Sequence, residues 1–514
     1  MSQALSALEQ LKRDVNPYAG QEVFARLARG TVADITPEDD VVMRWHGLYR
    51  HRPPAAGMFM LRLKLPGGAL SAAQTTTVAA LAAQFSSGHL NLTTRQDIEL
   101  HQLTLADLPM VFAELAAVGL RTLGACGDQV RNVVACPVSG IDPAELLDTA
   151  TVGEELTAAF LANPAFANLP RKFKIALCGC AQHCVPSEIN DLAFEAALDG
   201  AGRPGFTVLV GGGLSAHPVM AADLGVWVPV EDAVAVVSRA VEIFRDHGNR
   251  EQRGQARVKH LVAKHGVAWF REELERRLGR ALPSREMPVT TTDHQDHLGV
   301  HPQHDPALRY LGIPVPGGLL TSDQLRALAK IAGDGRLRVT HQQNLILADI
   351  PSANVDDVLT RLDALGLPVD PELWRGRVVV CTGKDFCNKA LVHTKAAALH
   401  LAEALDVALP ILPISIRMSG CPNGCGQHAL ADIGLQGALL QDESGTEERF
   451  DLWVGGGEAD EPAFGRRIAA RLHPEQLAHV VGDLWARYQA EAVNEHETFS
   501  TFARRVLWNG CPAA

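Results

Sequence analysis

The chain repeats itself. Gly67 of one Gly-Gly pair has a counterpart in Gly317, 250 positions on; Cys136 and Cys381 lie 245 apart, Cys180 and Cys421 241, and Gly211 and Gly455, each in a Val-Gly-Gly-Gly run, 244. Offsets this steady across 514 residues mean two homologous halves, so whatever unit the first half builds is built twice. Each half opens on the same pattern. A strand in Met58–Gly68 is followed by a helix over 71–85, a strand over 90–100 and a helix over 106–119; Val315–Gly318, 322–332, 338–347 and 354–365 answer them. Strand–helix–strand–helix of this size predicts a small two-layer α/β unit in each half. Along the first strand, Arg62 and Lys64 are expected to share one face, opposite an apolar one. The halves join at residues 283–308. The His294, His297, His301 and His304 found there, with Pro302 and Pro306 and no partner cysteines, read as a solvated connector.

The second half carries two close cysteine pairs. Cys381-Thr-Gly-Lys-Asp-Phe-Cys387 is C-x5-C, and Ser419-Gly-Cys421-Pro-Asn-Gly-Cys425-Gly is C-x3-C, with room for a helix between them. Four thiolates so arranged can wrap a cubane iron–sulfur cluster, and Gly420, Gly424 and Gly426 let backbone N–H groups approach the sulfurs. Zinc prefers about two to four residues within a pair, which C-x5-C fits poorly. Two disulfides or unligated buried thiols are the other readings.

Composition narrows the classes. A chain that is 47% hydrophobic at this length can bury several cores, and its formal net charge of −12 argues against a general nucleic-acid binder. The first residues mix charges with apolar positions at helical spacing, predicting a short surface helix and no signal peptide. Residues 407–416, the most apolar later stretch, are too short to span a bilayer. Ten cysteines, four in a cluster motif, suit a reducing, cytoplasmic setting. Gly211–Gly213 and Gly455–Gly457 follow strands, but their occurrence in both halves favours structural turns or carboxylate contacts over a dinucleotide fingerprint.

CTGKDFC together with SGCPNGCG resembles the siroheme-dependent nitrite and sulfite reductase family, and the likeness runs through almost the whole chain. The resemblance implies an α+β fold of two pseudo-twofold-related halves, each a ferredoxin-like subdomain plus a larger α/β subdomain, with siroheme in the central cleft. On that basis the chain divides into a helical arm (1–52), a first ferredoxin-like half-domain (53–122), a siroheme and substrate domain (123–282), the linker (283–308), a second ferredoxin-like half-domain (309–372) and an iron–sulfur and siroheme domain (373–514). It also implies that Cys381, Cys387, Cys421 and Cys425 bind a [4Fe–4S] cluster, with Cys425 bridging to the siroheme iron as its axial ligand.

Siroheme carries eight carboxylates and the substrate is an anion, so the cleft needs Arg and Lys. Arg62, Arg95, Arg131, Lys172 and Lys174 are the candidates, the two lysines pointing the same way along a strand. By pattern alone each suits a solvated face. The resemblance implies that Arg62, Arg131, Lys172 and Lys174 line the distal face of siroheme and bind the oxyanion, and that Arg95 reaches a siroheme propionate or acetate. It further implies a six-electron reduction in which electrons pass singly through the Cys425 sulfur. Crowded cations should lower a lysine pKa, making Lys172 or Lys174 a proton donor. Sulfite-reducing members resemble this chain in having lysine at position 174, where nitrite-reducing members usually have asparagine; CTGKDFC reads more like the nitrite type. The expectation is therefore assimilatory reduction of sulfite to sulfide, with nitrite to ammonia as the near alternative. Precorrin-3B synthase, or a non-catalytic iron–sulfur or zinc protein, are the more distant ones. With no flavin or nucleotide domain evident, electrons are expected from ferredoxin docking on a local basic patch of a monomer, with no membrane or nucleic-acid partner. Tyr49 and Cys126 match positions that are covalently joined in some ferredoxin-type sulfite reductases.

In the first half, Cys136, Cys180 and Cys184 fall in register with Cys381, Cys421 and Cys425, while Asp142 takes the fourth place and Cys178 lies nearby. The expectation is a duplicated site that lost its metal; the alternative is a second, labile cluster, giving about nine irons per chain instead of about five.

Overall fold

The computed structural model describes residues 5–509 apart from 54–55, 162, 181, 216, 286–295, 334, 443–444 and 459–460. His294 lies outside the described residues.

Two five-stranded antiparallel sheets occupy the centre. The first runs Leu48–Arg50, Phe59–Arg62, Ile98–Leu103, His89–Leu92 and then Leu319–Thr321, a strand of the other half. The second runs Gly299–Pro302, Leu308–Ile313, Leu345–Pro351, Leu337–Val339 and then Ala69–Leu70, which belongs to the first half. Each half therefore lends the short strand after its Gly-Gly pair to its twin: Leu320 pairs with Leu90, and Leu70 with Leu337. Glycine is required at position 68, where φ is +77° and a Cβ would stand 2.1 Å from the Val339 carbonyl oxygen. The two following helices, Ala72–Phe85 and Ser322–Ala332, open on matching capping boxes, Ser71 with Gln74 and Thr321 with Gln324. One apolar core, including Leu70, Val78, Leu320 and Leu325, serves both sheets.

Two expectations fail here for local reasons. The strands expected over 90–100 and 338–347 are each a hairpin, reversed at Gln96 (φ 57°) and Gln343 (φ 67°). A turn built on non-glycine residues at positive φ leaves no glycine signal in the sequence. Nor do Arg62 and Lys64 share a face. The strand ends at Arg62, which is half-buried, and Lys64 turns inward to donate to the Val130 carbonyl at 3.2 Å.

Each larger subdomain is a mixed five-stranded sheet. Val130–Ala135, Phe173–Cys178 and Leu192–Leu198 run parallel, then Pro204–Val210 and Ala222–Pro229 antiparallel. Val378–Val380, Ile416–Ser419 and Ile433–Asp442 repeat the parallel set, then Gly445–Val454 and Arg466–Leu472 the antiparallel one. Helix Thr149–Phe160 makes the first crossover and Thr394–Ala408 its twin. The cysteine motifs begin at the carboxyl ends of the parallel strands, where open α/β sheets place their ligands. The N-terminal helix Ala7–Asp14 is docked, not merely superficial: Lys12 is buried, with Glu9 at 2.6 Å and Asp128 at 3.2 Å. The two-half α+β architecture with ferredoxin-like subdomains is thus the one the resemblance implied.

Candidate active site

The two cysteine-bearing loops of the second half meet each other and the hairpin of residues 89–103 of the first half. Cys381 follows the strand Val378–Val380; its sulfur accepts the Gly420 N–H at 3.1 Å, so the second pair's loop already points an amide at the first pair's thiol. The Gly426 position leaves no room for a side chain, since a Cβ would lie 1.9 Å from the Met418 carbonyl oxygen. Burial pushes the Cys381 thiol up to about 12 and also raises Cys387 and Cys421, with the nearby Cys425 adding to each. Such thiols give up their protons to a metal rather than to water. Cys425 alone among the described cysteines is exposed. It faces the cleft, close enough to Lys172 and Lys174 of the first half to act on their charge.

The first ferredoxin-like hairpin braces this site. Thr94 Oγ1 donates to the Cys425 carbonyl at 3.1 Å. Phe386, inside the C-x5-C loop, stacks on His101 at 4.0 Å between centroids. Glu99 joins cluster loop to cleft, accepting from Thr382 Oγ1 at 3.0 Å and from Arg62 Nε at 3.0 Å. Burial would raise its pKa, but Arg62 and His101 hold the carboxyl well below the usual range. Nothing in the sequence marked Glu99, because its role depends on a partner 283 residues away.

The expected cations converge, with different local partners. Arg62 also places Nη1 3.5 Å from the Cys126 sulfur; Cys126 is buried, and Tyr49 lies half-buried on the strand Leu48–Arg50. Arg131 is held by the Gly127 and Ala125 carbonyls at 3.0 and 2.9 Å. Arg95 is drawn inward, its guanidinium donating to the Asn132 carbonyl and, at 2.7 Å, to Asn190 Oδ1, while its buried Nε has no partner among the described residues. Beside the lysines lies a residue that no local sequence pattern marks. Arg257 forms a bidentate pair with fully buried Asp191 at 3.0 and 2.8 Å, and Asp191 also accepts the Lys174 backbone N–H.

Lys172 and Lys174 are the exception: among the described residues neither ammonium donates to a protein acceptor, although both are half-buried. Burial, reinforced by Arg257 and Arg131, brings Lys172 down to about 7. Burial, with Arg95, Lys172 and Arg257, takes Lys174 well below the ordinary lysine value. Uncompensated cations cost free energy unless an anion joins them. A cleft of crowded cations, an unpartnered guanidinium nitrogen and an exposed thiol opposite suits both an oxyanion and an eight-carboxylate tetrapyrrole, and four thiols near enough for Cys425 to act on the other three are the donor type a cubane takes.

Fold and cleft together define a two-half protein that sets crowded cations of the first half against two cysteine pairs of the second. Residues 126–282 and 375–506 match the nitrite and sulphite reductase 4Fe-4S domain, and residues 51–118 and 301–365 the nitrite/sulfite reductase ferredoxin-like half domain. The ferredoxin–nitrite reductase of Synechococcus elongatus is 36% identical over 509 residues, covering 96% of this chain and 98% of that one. The ferredoxin sulfite reductase of Mycobacterium tuberculosis is 33% identical over 531 residues, covering 98% and 95%. The solved structure of the Mycobacterium tuberculosis NirA protein superposes with a TM-score of 0.92 at 32% identity, covering 98% of this chain and 97% of that one. The chain belongs to the siroheme-dependent nitrite and sulfite reductase family. It is an oxidoreductase whose cofactors are siroheme and a [4Fe–4S] cluster. Among the described residues no helix is long and apolar enough to cross a membrane.

Proposed function

We propose that this chain reduces sulfite to sulfide, with ferredoxin as the electron donor. The observation behind the substrate is Lys174: a second unpaired cation beside Lys172 suits the more highly charged sulfite better than nitrite. In this reading Cys381, Cys387, Cys421 and Cys425 would hold the cluster, and Cys425, exposed toward the cleft, would be the one through which electrons leave it. Bound siroheme and cluster supply the one-electron chemistry. Arg62 and Arg131, fixed by Glu99 and by the Gly127 and Ala125 carbonyls, orient the oxyanion. Lys172 and Lys174 bind its charge, and Lys172, at about 7, exchanges a proton near neutrality and returns it to the departing oxygen. Arg95 holds the floor of the cleft through Asn132 and Asn190, and its unpartnered Nε is the contact left for a siroheme carboxylate.

Nitrite is the second reading, favoured by one observation: burial, with Arg95, Lys172 and Arg257 alongside, disfavours the charged form of Lys174, which moves this position toward the uncharged asparagine of nitrite-reducing members. For the donor, the support is a pair of relatives named for ferredoxin and the exposed Arg52 and Lys389 beside Cys387, cations suited to an acidic partner. Turnover of siroheme-loaded, anaerobically purified protein with reduced methyl viologen tests the substrate. A kcat/KM higher for sulfite supports the proposal, and one higher for nitrite overturns it.

A further inference from the structure

The first half retains a metal-like arrangement that the reductase site does not use. Cys136, Cys180 and Cys184 are all buried, and their sulfurs lie within 4.8 Å of one another, the only such His, Cys or carboxylate group of three among the described residues. Cys180 and Cys184 sulfurs are 3.0 Å apart. Cys178 is adjacent, its sulfur 3.5 Å from the Cys180 carbonyl oxygen.

A fourth donor comes from the connector, where the sequence led us to expect only solvent. His297 is 2% exposed, and its Nε2 stands 3.1 Å from the Cys184 sulfur. Two features hold the ring there. The His297 backbone is at φ 57°, a left-handed conformation that few non-glycine residues adopt, and its carbonyl lies so close to Gly312 that a Cβ there would stand 1.7 Å away. Its Nδ1 meets the Tyr310 hydroxyl at 3.2 Å, a contact that lets Nδ1–H donate and leaves the Nε2 lone pair toward the Cys184 sulfur. That is the outer hydrogen bond a metal-binding histidine ordinarily makes.

We propose that Cys136, Cys180 and Cys184 bind one divalent metal ion of the zinc class, and that His297, now beside Cys184 alone, swings in as fourth ligand to complete tetrahedral Cys3His coordination. Scale separates this from a second cluster. With a zinc–sulfur bond of about 2.3 Å, ligand sulfurs of a tetrahedral ion stand about 3.8 Å apart, whereas the thiolates around a cubane stand farther from one another. The cubane's fourth thiol is also missing, since Asp142 holds that place. A Cys180–Cys184 disulfide would use two sulfurs and leave Cys136 and the aimed imidazole unexplained; a single ion uses all four donors. The site's surroundings suggest a structural purpose. Its apolar shell takes Val134 and Ala176 from the first larger subdomain and Tyr310, Ile346 and Ala348 from the second ferredoxin-like unit, so the ion would rivet the connector to both.

The experiment is elemental analysis of the full-length, siroheme-loaded enzyme purified without air. We expect about one zinc per chain beside about five irons. Cys184→Ser should lose the zinc while keeping the irons and the siroheme spectrum. His297→Ala, which keeps all three thiolates and so tests the site if Cys184→Ser fails to fold, should release zinc to a chelator about tenfold faster or more. Cobalt in place of zinc should give thiolate charge-transfer bands that His297→Ala shifts. Four outcomes would each overturn the proposal: no metal beyond five irons, about nine irons, zinc retained equally by both variants, or a mass two hydrogens lower from a disulfide.

Discussion

Gln96 and Gln343 reach into each other's halves. Gln96 Nε2 donates to Val339 in the second ferredoxin-like unit at 3.1 Å, and Gln343 Nε2 donates to Leu92 in the first at 2.8 Å. The two are twins of the repeat. Each also ties its hairpin to its own larger subdomain, Gln96 Oε1 accepting from the Ala135 N–H and Gln343 Oε1 from the Val380 N–H, both at 2.8 Å. Replacing either glutamine with leucine strands a buried carbonyl and a buried N–H just before a cysteine motif. The expected cost is about 2 kcal/mol or more for each, read from denaturant midpoints. An unchanged midpoint would show that the cross-links are incidental.

Removing Lys172 should hurt catalysis while relieving strain. Lys172→Met is expected to lower kcat/KM by about 10²–10³-fold and to stabilise the siroheme-free protein by about 1 kcal/mol, because a cation without an acceptor is gone. Lys174→Asn should move the sulfite-to-nitrite preference toward nitrite by about tenfold. Steady-state kinetics with both anions on the same preparations decides this, and an unmoved ratio removes Lys174 as the selecting residue.

The depressed pKa of Lys172 fixes the sign of two pH effects. Below about 7 the ammonium is charged and holds the anion; as pH rises through that value the charge goes and KM for the anion should climb. In the siroheme-free protein the unfolded lysine still binds its proton up to about 10.5, so the unfolded state holds more protons across this window and stability should rise with pH from about 7 to 10. Lys172→Met should flatten both profiles. Persistence of the KM rise in that variant would assign it to another group.

Cys421→Ser should cost the cluster its irons, leaving about one per chain with siroheme and no acid-labile sulfide. Its turnover should fall to background while siroheme absorbance survives. Retention of labile sulfide would mean that Cys421 is not a ligand.

What could be read from the sequence was whatever is local. The cysteine pairs, the glycines beside them and the Lys172–Lys174 alternation are short-range patterns, and all sit at one cleft. What escaped depends on distance or on unsignalled backbone. Gln96 and Gln343 turn the chain without glycine. Glu99 serves Thr382 and Arg62 together, Arg257 works through Asp191, and His297 enters an apolar shell only because the connector folds back as the strand Gly299–Pro302 against Leu308–Ile313. No window of sequence contains both ends of such a contact.

The exchanged edge strands set a timetable for synthesis. The first sheet lacks its outer strand until residues 319–321 leave the ribosome, and their partner site at residues 89–91 was made some 230 residues earlier. At about 5–20 residues per second, the nascent first half waits roughly 10–50 s with an open sheet edge and an uncovered share of the common core. Splitting the gene between its two repeats would therefore not yield two independent proteins, but two incomplete ones that need each other to finish.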